Sequence, residues 1–275
     1  MSRRRRITTV TIAGALGVLA AAPAAHADTV TLGSTLQNHF QGGISTGPTL
    51  TVQLSYAPAT SPNPVVSPAN GVITGWKVKS ADDGALYTLK VLRPNGQVSL
   101  VTATNSSFSA LRSVVAPTPV PAGTELATPT GVIFSYPASL PISKGDYVGV
   151  LTGGQDDHVP QFTTSGVPTN LIANNFSGLP ADGAAADLLA DEQHDLLLQA
   201  TVRFCEVPGL KGLKVKAAKQ ALAAADCGVK VSKKKVKKKK QRGRVIKQKR
   251  LAGFTAAPGT QIHIVVGKKV KRAKK

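Results

Sequence analysis

Aromatic side chains are scarce in this sequence, and so are cysteines. Of 275 residues only 4% are aromatic; one is Trp, one is Met and two are Cys. Two cysteines exclude a disulfide-dense miniprotein. After residue 27 no stretch strings together the ~18 apolar residues of a membrane helix, which excludes a multi-span membrane protein. The composition also excludes a coiled coil, and 42% apolar residues exclude a wholly disordered chain. The length fits one or two domains with tails.

Acids are nearly missing from one end. The net charge is +20, from 34 Lys and Arg against 14 Asp and Glu. Residues 1–27 hold four Arg and no acid. Residues 28–203 hold seven basic and twelve acidic residues, a net −5. Residues 204–275 hold 23 basic and two acidic residues, a net +21. A mildly acidic body carries a short, very basic end, and the two need separate explanations.

The first segment reads as an export signal. Four Arg head an apolar, charge-free stretch over 7–22, and Pro23 interrupts it. Ala25-His26-Ala27 then puts small residues at both positions that signal peptidase reads. Basic head, apolar middle and A-x-A end predict a signal peptide over 1–27, cleaved before Asp28. Arg4-Arg5 leaves the general and twin-arginine export routes both open. The expected location is extracellular: secreted and cell-wall associated, with no transmembrane span in the mature protein.

Residues 28–203 read as all-β. Strands are expected at 29–36, 50–56, 72–80, 86–93, 98–104, 132–136, 147–152 and 195–204, where β-branched residues dominate. Val72, Thr74, Trp76 and Val78 are expected to share one face. Turn signals separate the runs, among them Asp82-Asp83-Gly84, Pro94-Asn95-Gly96 and Lys144-Gly145-Asp146. Fifteen of the 18 Pro lie in this region, clustered in loops where they interrupt no ladder. The pattern predicts an antiparallel β-sandwich, jelly-roll-like, with one short helix within 179–191. This body is similar to uncharacterised β-sandwich domains of secreted bacterial proteins in its KGDYVGV and DLLLQATVRF stretches.

The body offers little chemistry. Gly43-Ile44-Ser45-Thr46-Gly47 matches G-x-S-x-G, but that pattern needs a strand, an elbow and a helix. Here it sits in a Gly/Thr/Pro loop, so Ser45 reads as a loop residue and no catalytic residue is assigned. His39, His158 and His194 lack metal spacing. Asp156-Asp157-His158 and the group Asp187, Asp191, Glu192 and Asp195 are oxygen-rich enough to suggest calcium. They lack a D-x-D-x-D-G loop and read as solvated charge; no metal or cofactor is expected. Trp76, Tyr87, Tyr136 and Tyr147 are the candidates for an aromatic sugar platform. Trp76, Tyr87 and Tyr147 lie inside strand patterns and are expected in the core.

From Cys205 the grammar changes. Val207-Pro208-Gly209-Leu210-Lys211-Gly212 is rich in turn residues. Leu213, Ala217, Ala218, Ala221, Leu222 and Ala225 then recur at helical spacing, and Cys227-Gly228 ends the helix. Strands follow at 229–231, 243–248 and 261–266, the last two separated by the turn Ala257-Pro258-Gly259-Thr260. In an exported module, Cys205 and Cys227 are expected to form a disulfide. Closing that loop contributes about 3 kcal/mol in the chain-entropy picture. Within 232–250, twelve of the 19 residues are Lys or Arg. Lys233, Lys234, Lys235, Lys237, Lys238, Lys239, Lys240, Arg242 and Arg244 are the candidate polyanion-binding residues. Aromatic interleaving and reader motifs are lacking, so no specific nucleic-acid partner is expected.

These residues carry a family resemblance. V-P-x-L-x-G, a helix with A-x3-L, then G-x-V-I-x-Q, then G-T and a closing strand form the pattern of a PASTA domain. That module is appended to bacterial penicillin-binding proteins and serine/threonine kinases. The matching residues are Val207, Pro208, Leu210, Gly212, Ala218, Leu222, Gly243, Val245, Ile246, Gln248, Gly259, Thr260 and Val265, within 205–267. The chain departs from the family where Lys249-Arg250-Leu251 replaces a common Pro, and in having a single copy. The resemblance implies one helix on a three-stranded sheet and binding of muropeptide, peptidoglycan or β-lactam. The expected organisation is a signal peptide over 1–27, a sandwich over 28–203, a PASTA-like module over 204–268 and a basic tail over 269–275. The expected function is secreted, non-enzymatic wall binding, with peptidoglycan or an anionic wall polymer as partner. Two alternatives stay open: a glycan-active enzyme with the sandwich as catalytic domain, and a non-specific polyanion binder.

Overall fold

The computed structural model describes residues 28–42, 47–57, 60–128, 130–154, 157–175 and 180–269. The expected signal peptide, Ser45 and nearly all of the basic tail lie outside them.

The chain is mainly β and its body is antiparallel. One layer is a sheet in the order β1 (Asp28–Gly33), β12 (Leu198–Glu206), β3 (Gly71–Ser80), β6 (Val132–Ile142). The other layer closes on itself. Its ring runs β10 (Ala185–Glu192), β5 (Asn105–Val115), β4 (Tyr87–Pro94), β7 (Tyr147–Thr152), β2 (Leu50–Ser55), β9 (Leu171–Asn175) and back to β10. Closure leaves these six strands no free edge. Two small strands, β8 (Gln161–Thr163) and β11 (His194–Leu196), pair beside it, and α1 (Thr124–Ala127) is a single turn.

Alternation along the strands builds two cores from one ring. On β4, Tyr87, Leu89 and Val91 face the flat sheet and pack with Leu32, Ile73, Trp76, Val78, Ala200 and Val202. Leu92 on the same strand points inside the ring and meets Leu50, Val52, Phe108, Leu171 and Leu188. The ring is tight where β7 crosses β2. A Cβ at Gly149 would sit 2.7 Å from the Thr51 carbonyl oxygen, so only glycine fits there.

Three expectations need correction. The register of β3 shifts between Ile73 and Gly75, so Ile73, Trp76 and Val78 are buried while Thr74 is exposed. Residues 98–104 form no strand. Ser and Thr oxygens take the local groups instead: Ser99 N–H donates to Ser106 Oγ at 2.8 Å, and the Thr104 hydroxyl donates to the Val101 carbonyl. The strand is the more polar run that follows, β5. The helix expected within 179–191 is the strand β10. There Ala186, Leu188 and Ala190 are buried while Ala185, Asp187 and Leu189 are exposed, and pairing with β5 and β9 overrides the helix preference of this Ala/Leu-rich run. Of the aromatic candidates, Tyr136 joins the other three in the core, so none forms an exposed platform.

The C-terminal unit has its own core. Helix α2 (Val215–Ala224) packs on a three-stranded sheet in the order β13 (Gly228–Val236), β16 (Gln261–Lys269), β14 (Val245–Gln248). β13 runs parallel to β16 and β14 antiparallel. A two-residue strand, β15 (Thr255–Ala256), pairs with the end of β12. Strand β12 therefore serves both regions without a break.

Candidate functional site

Burial fixes the frame of the C-terminal unit. Val207, Leu210, Ala218, Leu222, Ile262 and Ile264 are inaccessible or nearly so. Cys205 on β12 and Cys227, just beyond α2, are bonded, with Cα atoms 5.2 Å apart. Beside them Arg203 Nε lies 3.0 Å from Asp226 Oδ2. Gln248 acts as a clip: its Oε1 accepts the Leu210 N–H at 2.8 Å, and its Nε2 donates to the carbonyls of Pro208 and Arg250. The amide thus ties the 207–210 segment to β14.

The basic run divides into groups with different surroundings. Lys233, Lys234 and Lys235 are exposed on β13, an edge strand. Charged side chains on an edge discourage pairing with another chain. Lys237 and Lys238 lead into a single 3-10 turn at Lys239–Gln241, where the Lys238 carbonyl accepts the Gln241 N–H. Lys239, Lys240, Arg242 and Arg244 turn back toward α2. With Lys214, Val215, Lys216 and Gly243 they line a shallow cleft of about 610 Å³. Lys214 and Lys216 complete it, although they lie outside the basic run that the sequence singles out. No spacing rule links them to Arg244; the isolated bridge between Lys214 and Arg244 does.

Residues 206–268 match the family model of the PASTA domain. No curated protein and no solved structure matches the chain. A PASTA domain is a binding module rather than a catalytic one, and such domains occur in cell-wall-related proteins. The PASTA domain of this chain has a second recess, about 510 Å³, lined by Gly209, Lys211, Ile246, Lys247, Gln248 and Leu251. It is the more apolar of the two, and Leu251 is 79% exposed at its rim. Leu251 belongs to the Lys249-Arg250-Leu251 departure; beside it Arg250 stacks over Phe254 at 4.5 Å. Among the described residues no helix is long and apolar enough to cross a membrane.

The sandwich candidates scatter. His39 packs edge-on against Phe162 at 4.6 Å, at a polar recess of about 590 Å³ that Asn38, Gln41 and Thr163 also line. His158 Nδ1 lies 3.1 Å from Asp82 Oδ1, and its backbone N–H donates to the same carboxylate. His194 Nε2 is 3.3 Å from Asp191. Asp156 lies outside the described residues. Asp157 closes a turn by accepting the N–H groups of Gly153 and Gly154 at 3.0 and 2.7 Å. Asp187 and Asp191 project from the exposed face of β10, whereas Asp195 is buried. The second acidic cluster is therefore split by burial. Among the described residues no three Asp, Glu, His or Cys side chains converge as metal ligands.

Asp195 is a buried carboxylate with a displaced titration. Burial pushes its pKa up, and hydrogen bonds from Asn38 (2.8 Å), Ser34 (3.2 Å) and Tyr56 only partly offset this. Burial and the nearby Asp195 charge also push the Tyr56 hydroxyl well above its usual range. A raised carboxyl pKa means that the folded state holds the proton more tightly than the unfolded state. The Asp195 contribution is then most favourable below the ordinary Asp value of 3.8 and is lost as pH rises through the higher folded value. Melting temperatures of wild type and Asp195→Asn, compared from acid to neutral pH, should show wild type losing ground to the variant across that window. Wild type gaining on the variant over the same range would show the three donors outweighing burial.

Proposed function

We propose that this is a secreted, non-enzymatic protein that docks on the cell wall through its PASTA domain. The observation that carries the reading is the PASTA match over 206–268, set in a segment with a net +21. Peptidoglycan or an anionic wall polymer is the partner. The more apolar recess beside Gln248 offers contacts for peptide and sugar, and the cationic cleft offers contacts for charge. The signal-peptide pattern over 1–27 supports export. The body presents no exposed aromatic platform among the described residues and contributes a rigid carrier rather than a glycan site. The divisions at 27 and near 203–204 belong to this reading, as does the basic tail over 269–275.

The test is sedimentation of the purified chain from Asp28 with isolated walls, before and after their anionic polymers are stripped, across a salt series. The protein is expected to pellet with intact walls at about 0.15 M salt, where the screening length is about 8 Å. Retention on stripped peptidoglycan at high salt would place affinity in the Gln248 recess. Failure to pellet with either preparation would overturn the reading. Equal retention on walls and on unrelated polyanions would identify a general polyanion binder instead.

A further inference from the structure

The cationic cleft combines a charge that no acid in its lining balances with a backbone that holds the charge in place. Six cations from three segments meet there: Lys214 and Lys216 from the start of α2, Lys239 and Lys240 from the 3-10 turn, and Arg242 and Arg244 ahead of β14. The last 72 residues contain only two acids, Glu206 and Asp226. Asp226 is engaged by Arg203, and neither acid lines the cleft. Crowding like charges without a partner opposes folding, and a bound polyanion relieves that opposition.

The cleft is also built. Gly243 N–H donates to the Gly267 carbonyl at 2.8 Å, Gly267 N–H to the Arg244 carbonyl at 3.0 Å, and Val215 N–H to the Gly243 carbonyl at 3.2 Å. Arg244 Nη1 donates to the Gly212 carbonyl at 2.9 Å, which sets the direction of its guanidinium. The 3-10 turn lies so close on β16 that a Cβ at Gly267 would come within 2.2 Å of the Gln241 oxygen. A preorganised cluster loses less freedom on binding than six free lysines would.

The lining selects a ligand class. Val215 and Gly243 are its only uncharged members, so the cleft offers neither an aromatic face nor a carboxylate for a sugar. The guanidinium forks of Arg242 and Arg244 suit phosphate oxygens, and the lysines supply point charge around them. Six cations exceed what a single phosphate monoester would balance; consecutive phosphates along a chain match them. We infer that this cleft binds successive phosphodiesters of a polyol-phosphate wall polymer. The inference rests on the wall-docking reading and names the polymer chemistry within it.

Two charge-matched variants separate a site from a diffuse field. One is Lys216→Gln, Lys239→Gln and Lys240→Gln in the cleft; the other is Lys233→Gln, Lys234→Gln and Lys235→Gln on the β13 edge. All six side chains are exposed, and circular dichroism melts check that both variants fold. The probe is a soluble glycerol-phosphate oligomer, with poly-glutamate as the carboxylate comparison, titrated against the chain from Asp28. The cleft variant is expected to lose about tenfold in oligomer affinity at 0.15 M salt and to show a shallower salt dependence, whereas the edge variant stays within about twofold of wild type. Equal losses in both variants would overturn the inference, and so would poly-glutamate binding as tightly as the phosphate oligomer. Wall sedimentation in parallel keeps the two ideas apart. Walls bound without oligomer binding would sink the cleft and leave the docking reading intact. Neither bound would sink both.

Discussion

Reduction of the Cys205–Cys227 bond is expected to lower the melting temperature of the PASTA domain by about 15 °C while the Trp76 core holds. Both cysteines are buried, and their bond ties β12 to the end of α2 across 22 positions of sequence. Losing that crosslink frees about 3 kcal/mol of chain entropy in the unfolded state. A core this small has little to spare, since even whole domains are stable by only about 5–15 kcal/mol. The sole tryptophan, Trp76, lies in the other core and reports only on that region. The measurement is a melt followed by tryptophan fluorescence and by trypsin cleavage, with and without reductant, and repeated on Cys227→Ser. Cleavage in the lysine-rich segment should move to lower temperature while the fluorescence transition stays. An unmoved cleavage profile would mean that packing of Leu210, Ala218, Leu222 and Ile264 suffices without the crosslink.

Trp76→Ala should have the opposite pattern and the largest effect on the body. Trp76 is 2% exposed, packs on Tyr136 with ring centroids 4.8 Å apart, and sits where β3 meets the β4 face of the ring. Its truncation costs about 3–5 kcal/mol, from lost transfer energy and the cavity left behind. For a body of this size that is a melting-temperature drop of about 10 °C or more. The indole also carries a cost of its own, because its buried Nε1–H finds no acceptor among the described residues. Trp76→Phe removes that donor along with some volume, so it should cost far less than the alanine variant. Denaturant melts by circular dichroism on all three proteins decide the matter. A phenylalanine variant as unstable as the alanine one would show that indole shape, not apolar bulk, sets the packing.

What the sequence revealed depended on how local each signal was. The PASTA positions were legible because each does one local thing. Val207, Leu210, Ala218, Leu222 and Val245 fill the core, Gln248 clips a loop, and Gly212, Gly243 and Gly259 take positive φ. The disulfide was legible because only two cysteines exist. β5 and β10 were not, because one is rich in Ser and the other in Ala and Leu, and long-range pairing makes both strands. Closure of the ring rests on β2 meeting β9, more than a hundred residues away, and no periodicity announces that. The bulge beside Gly75 moved the buried face of β3 by one residue. In the basic run, composition showed the charge but not its partition. A turn folding back on α2 decides which lysines share a cleft with Lys214 and which stand on the β13 edge.

Strand β12 has a mechanical consequence. From Gln199 to Arg203 it is paired along both sides, to β1 and to β3, and its last two residues pair with β15 in the C-terminal unit. The crosslink at Cys205 joins that strand covalently to the helix end. A pull applied between the PASTA domain and the body would enter β12 along its axis. Ladder bonds perpendicular to the strand then share the load in shear instead of opening one after another. Survival under tension depends on the unfolding rate of that three-strand block. The junction between the two regions is therefore a strand held in a ladder rather than a free linker.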